Sequence, residues 1–455
     1  MRRTLVCAMA IAMAWSAPLM VRAQDNELAK LREEVRQLKQ AYESRIQALE
    51  QRLQETEAKA GKAEAAAAQA ASVPVAAQAS GRPSGASAFN PDISLILQGT
   101  LAGSSRDPET YRISGFVPSG GEVAPAQRGL SISETELVMS ASIDPYVRGH
   151  LVAALTPENE VEVEEAYFQT LSLGGGFTLK GGRFLSGIGY QNEIHQHAWD
   201  FADAPLAYAA FLGGRLNDDG VQARWVAPTD LFVELGAETG RGRTFPGSDT
   251  PKNGSGAGAV FAHVGGDLGA AAWRAGLSHL RTSPKDRAFD EVDSTGADVV
   301  QSFTGRSRLW IADAVVKWGR AFKVQAEYFR RKETGELTPD PFTGRFESEQ
   351  SGWYGQAVWQ FMPRWRAGAR YDRLSRGTVT NAIVDSGAGP LAADFPTLMS
   401  DHNPSRGALM VDWSPTEFSR FRVQVASDKS RAGVTDNQLV LQYVHSLGAH
   451  GAHRF

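Results

Sequence analysis

Phe322-Lys323-Val324-Gln325-Ala326-Glu327-Tyr328 puts Phe, Val, Ala and Tyr on one side of an extended chain and Lys, Gln and Glu on the other. A period of two is the pattern of a β-strand with one apolar and one polar face. The same alternation returns in Trp365-Arg366-Ala367-Gly368-Ala369-Arg370-Tyr371-Asp372 and in Phe421-Arg422-Val423-Gln424-Val425. From Pro91 onward about 16 such segments follow one another. They start near residues 92, 129, 147, 161, 176, 221, 231, 257, 271, 308, 322, 348, 365, 405, 419 and 436. No segment in this region keeps a helical period.

The connections between these segments are sorted by length. Tight ones follow the even-ranked segments: Ile143-Asp144-Pro145-Tyr146, Leu173-Gly174-Gly175-Gly176, Ala227-Pro228-Thr229-Asp230, Gly319-Arg320, Met362-Pro363-Arg364 and Ser414-Pro415-Thr416. Mostly longer ones follow the odd-ranked segments, among them 282–307, 333–347 and 378–404. This alternation is the plan of an outer-membrane barrel, with short periplasmic turns and longer external loops. Aromatic residues flank the tight turns: Trp318 and Phe322, Phe361 and Trp365, Trp413 and Phe418, Trp225 and Phe232. Rings prefer the headgroup zone, so this end is expected at a membrane interface. The fold class read from these features is all-β, a transmembrane antiparallel β-barrel of about 16 strands over 91–455. It ends in an aromatic residue, Phe455.

The first 90 residues differ in kind. Residues 1–23 hold Arg2 and Arg3, an apolar stretch from Thr4 to Met20, and Val21-Arg22-Ala23 with small residues at the −3 and −1 positions of a cleavage site. These are the three parts of a secretory signal peptide. Residues 24–60 carry apolar positions at Leu28, Leu31, Val35, Leu38, Tyr42, Ile46, Leu49 and Leu53, a heptad seam with one stutter. A short periplasmic coiled coil is expected there, joining copies of the chain into a homotrimer. Residues 61–90, rich in Ala, Ser, Gly and Pro, read as a flexible linker.

Composition bounds the partners. The 455 residues hold 47 Lys and Arg against 51 Asp and Glu, a net charge of −4, so no nucleic-acid partner is expected. The leader carries Arg2, Arg3 and Arg22; without it the charge is −7. The single cysteine, Cys7, lies in the leader, which excludes a disulfide framework. Aliphatic runs long enough for helical membrane spans are absent after the leader. Outer-membrane lipid is the expected environment.

Carrying the alternation inward lines the lumen with Arg148, Lys180, Arg224, Arg274, Lys317, Lys323, Arg366, Arg370 and Arg422. The acidic set is Glu136, Glu165, Glu234, Glu238, Asp313, Glu327, Asp372, Asp412 and Asp428. A barrel of this size holds an aqueous interior, and a lining of both signs suits passage of small solutes or ions.

The stretch 187–220 includes Tyr190, His195, His197, Trp199, Phe201 and Phe211 and is richer in apolar residues than a solvated loop. It is expected to fold into the lumen and narrow it, with Tyr190, His195, His197, Trp199, Asp200 and Asp203 at the constriction. His195-x-His197 with Asp200 is also a ligand set of zinc type, because imidazole and carboxylate are common zinc ligands. The alternative to that reading is polar anchoring of the loop. A second group of histidines, His445, His450 and His453, lies on the last segment.

Glu165-Ala166-Tyr167, Gly181-Gly182-Arg183-Phe184, the stretch Tyr190 to Asp203 and Asn217-Asp218-Asp219-Gly220-Val221 resemble the phosphate-selective porin superfamily over about 91–455. The His195-Gln196-His197 loop and the ending Gly448-Ala449-His450-Gly451-Ala452-His453 resemble outer-membrane proteins labelled zinc-regulated TonB-dependent receptors. The resemblance implies a porin-like barrel, commonly trimeric. The chain departs from the first group in having no ladder of Lys and Arg. It departs from the second in having no plug domain, and about 365 residues are too few for 22 strands. The function expected is passive diffusion of small hydrophilic solutes or ions across the bacterial outer membrane. The alternative is zinc-linked uptake, with Zn2+ as ligand or substrate and no other cofactor. No Ser-His-Asp grouping or nucleophile elbow is present in the sequence pattern, so an enzyme is not expected.

Overall fold

The computed structural model describes residues 91–120, 123–133, 135–157, 159–292, 298–339, 343–382 and 397–448. The leader 1–23, the coiled coil 24–60, the linker 61–90 and the histidines His450 and His453 lie outside the described residues.

The strands are β1 Asp92–Ser104, β2 Gly129–Ile132, β3 Thr135–Ser142, β4 Val147–Leu155, β5 Val161–Thr170, β6 Phe177–Leu185, β7 Asn217–Val226, β8 Phe232–Gly240 and β9 Ala257–Leu268. They continue as β10 Ala271–Thr282, β11 Arg287–Val292, β12 Asp298–Trp318, β13 Phe322–Pro339, β14 Gly344–Met362, β15 Trp365–Asn381, β16 Ser405–Thr416, β17 Ser419–Asp428 and β18 Asp436–Gly448. All pairings are antiparallel and, apart from β1–β3, β10–β12 and the closure, join chain neighbours; β1 closes the sheet by pairing with β18 from Ser94↔Gly448 to Ser104↔Gln438. Closure removes the sheet edges, which is what permits a sheet to stand in lipid.

Eighteen strands make sixteen staves. β2 and β3 share one place beside β1, which pairs with β2 at Gly99–Ala102 and with β3 at Asp92–Ile96. β10 and β11 share another beside β12. The staves begin close to the positions given by the alternation. The main departures are β12, β14 and β7, which begin at Asp298, Gly344 and Asn217 rather than near 308, 348 and 221. Much of 282–307 and 333–347 is therefore strand rather than loop. The period of two continues there, and Phe289, Phe303, Leu337 and Phe346 form a buried cluster with Val117 and Leu398. β12, of 21 residues, is about 70 Å long at about 3.4 Å per residue. An apolar band of about 25 Å cannot cover that length, so β12 to β15 rise beyond it on the loop side.

The turn end is tight because its residues accept tight geometry. Asp144 Oδ1 accepts the N–H groups of Tyr146 and Val147 at 2.7 and 2.8 Å. Gly176 has φ +82°, and a Cβ there would meet the Val226 carbonyl oxygen at 2.1 Å. The aromatic residues of this end form a row across the outside: Trp365–Trp413 at 5.8 Å, Trp413–Phe421 at 5.7 Å and Phe421–Tyr443 at 4.5 Å between ring centres. Trp310, Tyr328, Trp353 and Tyr371 make a second row further along β12 to β15, with Trp353–Tyr371 at 5.7 Å. From Trp365 to Tyr371 and from Trp310 to Trp318 the rows are about 20–27 Å apart along the strands. Between them the outward residues are apolar and exposed, for example Leu277, Leu409 and Val425.

The interior is not an empty tube. The connection between β6 and β7, residues 186–216, turns inward and carries a short helix, α1 Leu206–Leu212, all seven of whose residues are buried. It is shorter than the expected 187–220 because Asn217 to Gly220 pair with β6. The segment between β1 and β2 also turns inward, a feature absent from the sequence reading. Tyr111, Ile113 and Phe116 pack on α1 and on Phe329, Tyr354 and Leu374 of the wall.

The outward face predicts a measurable asymmetry. Val425→Arg, midway between the aromatic rows, is expected to destabilise the barrel by about 2–4 kcal/mol in urea unfolding from lipid vesicles. An effect below 0.5 kcal/mol would place that residue outside the apolar band.

Candidate functional site

The inward loop is held at its neck, its middle and its helix. At the neck, Asn192 is fully buried. Its Nδ2 donates to the Ser186 and Leu216 carbonyls at 2.8 and 2.9 Å, and its Oδ1 accepts from Leu216 N at 2.7 Å. Next to it, Glu238 on β8 accepts from Ser186 Oγ and Gly187 N at 2.6 and 2.7 Å. In the middle, Glu327 on β13 accepts from the backbone N–H groups of Tyr190 and Gln191, both at 3.1 Å. It also accepts from the hydroxyls of Tyr208 on α1 and Tyr354 on β14. Gly189, φ +68°, allows this approach: a Cβ would lie 2.6 Å from Glu327 Oε2. At the helix, Leu206 N donates to Asp372 Oδ1 at 2.9 Å.

The residues expected at the constriction all lie on this loop, but they divide between two walls. Asp200 faces the basic wall of β13 to β15, with Lys323 Nζ at 2.8 Å and Arg366 Nη1 at 3.1 Å. Asp203 meets Arg370 and Arg406 at 2.8 Å each and accepts from Gln424 at 2.7 Å. Tyr190 lies between Arg274 and Lys323, its ring centre 5.4 and 5.2 Å from the two cations. Trp199 is buried, donates to the Ile194 carbonyl at 2.7 Å, and its own carbonyl accepts from Arg422 at 2.8 Å. His195 and His197 face the acidic wall of β3 and β5. His195 Nδ1 is 3.0 Å from Glu164 Oε2 and its Nε2 is 3.0 Å from Glu165 Oε2. His197 Nδ1 is 2.8 Å from Glu136 Oε1.

This geometry corrects the expected ligand set His195, His197 and Asp200. The structure does not bring the three together, because the Asp200 charge is taken up by Lys323 and Arg366 while the imidazoles turn to glutamates. Glu164 is the residue the alternation hid. β4 and β5 pair Val152 with Glu165 and Ala153 with Val163, so Glu164 is the extra residue of a β-bulge. A bulge turns two consecutive side chains to one face, and Glu164 and Glu165 are both buried toward the loop.

The remaining residues projected inward occupy the inner face. Arg148 donates to Ser140 Oγ at 2.6 Å, and Lys180 lies 4.5 Å from the ring centre of Tyr167. Arg224 pairs with Glu193 of the loop and lies 3.6 Å from Glu234, which accepts from His263 at 2.9 Å. Arg366 and Asp412 form a two-point pair at 3.0 and 2.6 Å, with Arg422 at 3.4 Å from the same carboxylate. Arg370 pairs with Asp372 at 3.0 Å. Glu193, Arg215, Arg406 and Arg420 join these networks and were not singled out in the sequence, since two lie in the loop itself and two are the second residues of β16 and β17, where the alternation begins.

Below the loop a cavity of about 750 Å³ extends to the turns around 319–321 and 417–418. Glu136, Glu165, His195 and His197 line it together with Lys180, and Lys317, Arg320, Lys323, Arg366 and Arg420 line it together with Asp200 and Glu417. Charge sets the loop's protonation. Burial alone would raise the Asp203 pKa, but Arg370 and Arg406 bring it down to about 2. Burial alone would lower that of His195, but the Glu136 charge and the hydrogen bonds to Glu164 and Glu165 hold it well above its ordinary value.

No family model matches the chain. A protein of Aquifex aeolicus (strain VF5) carrying only the description "Uncharacterized protein" is 30% identical over 401 residues, covering 81% of this chain and 80% of its own. Among solved structures, the barrel is similar to a loop L8 deletion mutant of OmpT, an outer-membrane protein of Vibrio cholerae, with a TM-score of 0.50 at 10% identity, covering 79% of this chain and 99% of that one. It is also similar to Pseudomonas putida OprB, with a TM-score of 0.50 at 15% identity, covering 78% and 94%. Likeness at these identities concerns the fold, that of outer-membrane porin-like barrels.

Two outcomes follow from the loop's attachments. Glu327→Ala leaves buried donors without acceptors, so amide exchange at Tyr190 and Gln191 should quicken about tenfold to a hundredfold. Unchanged protection would show that the loop is held elsewhere. A depressed carboxylate pKa stabilises above the ordinary value of about 3.9 and loses its contribution as pH falls through the folded value. Protection of residues 202–204 should therefore persist at pH 4 and fade toward pH 2, and Asp203→Asn should abolish that dependence.

Proposed function

We propose that this chain, which belongs to the same family as the Aquifex aeolicus protein, is a passive outer-membrane channel for small hydrophilic solutes or ions. The observation that carries the proposal is the charged cavity of about 750 Å³ inside the sixteen-stave wall, running from the turn end to the inward loop. A closed barrel with an apolar outside and a charged inside separates lipid from water. In this reading the turn end faces the periplasm and β12 to β15 project outside the cell.

The loop sets what passes. Its attachment by buried ion pairs and hydrogen bonds on several sides leaves little freedom, and α1 with Tyr111, Ile113 and Phe116 fills part of the cross-section with apolar packing. The channel should therefore conduct less than an unobstructed lumen of this size. The lining carries both signs: carboxylates with imidazoles gather on β3, β5 and the loop, and arginines and lysines outnumber the carboxylates lining the cavity from β12 to β17. A solute carrying both charges, or a small ion, is suited to such a lining, and bulky apolar molecules are not. Assembly as a trimer, expected from the N-terminal heptads, belongs to the same proposal.

Planar-bilayer recordings on the full chain test it. Discrete ohmic steps, in groups of three if the trimer forms, are expected, with small conductance. Arg366→Ala, which removes the cation that Asp200 and Asp412 share and leaves them to Lys323 and Arg422, should shift ion selectivity toward cations. A folded protein that inserts into vesicles and passes no current would refute the channel reading.

A further inference from the structure

We propose that Glu136, Glu164 and His195 form a binding site for a divalent metal ion of the zinc class in the wall of the cavity. The three come from different parts of the chain: β3, the bulge of β5 and the inward loop. One ligand atom from each lies within 4.8 Å of the other two. Glu164 Oε2 is 3.0 Å and Glu136 Oε2 3.4 Å from His195 Nδ1.

Each of the three residues is held on its opposite side by a further partner. Metal ligands are oriented by a further partner on their far atom, most typically a carboxylate on the second nitrogen of a histidine. Here Glu165 Oε2 takes His195 Nε2 at 3.0 Å, and Glu165 is itself fixed by the Leu185 N–H at 3.1 Å. His197 Nδ1 holds Glu136 Oε1 at 2.8 Å, and Arg215 holds Glu164 Oε1. Each would-be ligand is thus gripped on one atom and presents the other to the same point. A second observation concerns a single atom: Glu136 is fully buried, and its Oε2, 3.4 Å from His195 Nδ1, is ion-paired there but accepts no hydrogen bond. An ion pair without a hydrogen bond satisfies a buried carboxylate oxygen only in part, and a coordinated cation would complete it.

The chemistry favours imidazole-binding ions over calcium or magnesium, since one ligand is nitrogen and the protein ligands number three, which leaves a position for water from the cavity. On binding, the ion takes the His195 Nδ1 lone pair, and the proton now on that nitrogen passes to solvent. Glu165, His197 and Arg215 act as positioning residues. The bound ion would pin the loop to the β3–β5 wall. The site does not depend on the channel reading: a barrel that passes no current could still hold the ion.

The test is calorimetric titration of Zn2+ into the chelator-treated full chain in detergent, with His450→Asn and His453→Asn introduced to remove the terminal imidazoles. One ion per chain is expected. Glu136→Gln, which keeps size and shape, and His195→Ala should each weaken binding at least a hundredfold, and Glu165→Gln about tenfold to a hundredfold. Asp200→Asn should weaken binding less than either Glu136→Gln or His195→Ala, since its partners Lys323 and Arg366 lie away from the group. Co2+ absorption in the visible range gives a second readout, and the heat-dependent gel mobility of a folded barrel checks each variant. No zinc binding by the parent chain, or equal affinity in folded Glu136→Gln and His195→Ala, would overturn the proposal.

Discussion

The carboxylate of Glu327 is the point on which the interior depends. It stands on the inner face of β13, cut off from water, and is satisfied by four donors: two backbone N–H groups of the loop and two tyrosine hydroxyls, one from the helix and one from β14. A carboxyl group in such a place is tolerated only with its hydrogen bonds made. The wall therefore needs the loop as much as the loop needs the wall. Gly189 leaves the space for this approach, and Asn192 closes the neck so that the segment between them arrives in one register.

Charge then orients the rest of the loop. Its imidazoles meet the glutamates of β3 and β5, and its aspartates meet the arginines and lysine of β13, β15 and β16. Reversing the loop in the lumen would set Asp200 and Asp203 against Glu136, Glu164 and Glu165 and strand the arginines. Removing one partner of a buried pair costs about 3–5 kcal/mol, and a reversal would break several at once. The two-walled lining of the cavity is thus a consequence of how the loop is held, and the same contacts create the group around His195.

Much of this was legible in the sequence because a strand has a simple period. Lys323, Gln325 and Glu327 alternate with apolar residues in a single heptapeptide, and all three face the loop. The sorted loops and the turn aromatics predicted the barrel and its sixteen staves. What alternation cannot show is its own interruption. Glu164 escaped because a bulge adds one residue and breaks the period. The inward course of Tyr111 to Phe116 escaped because an apolar loop segment has no period at all. The pairing of Asp200 with Lys323, 123 positions away, is set by closure of the barrel, and sequence proximity to His195 and His197 pointed instead to a shared site.

If the barrel is the channel proposed, a loop held by Glu327 is its main resistance. Single-channel conductance of a chain in which residues 189–212 are replaced by a short Gly-Ser link tests it most directly. A conductance several times that of the intact chain is expected, with the charge preference reduced. An unchanged conductance in a folded, inserted barrel would contradict that role of the loop.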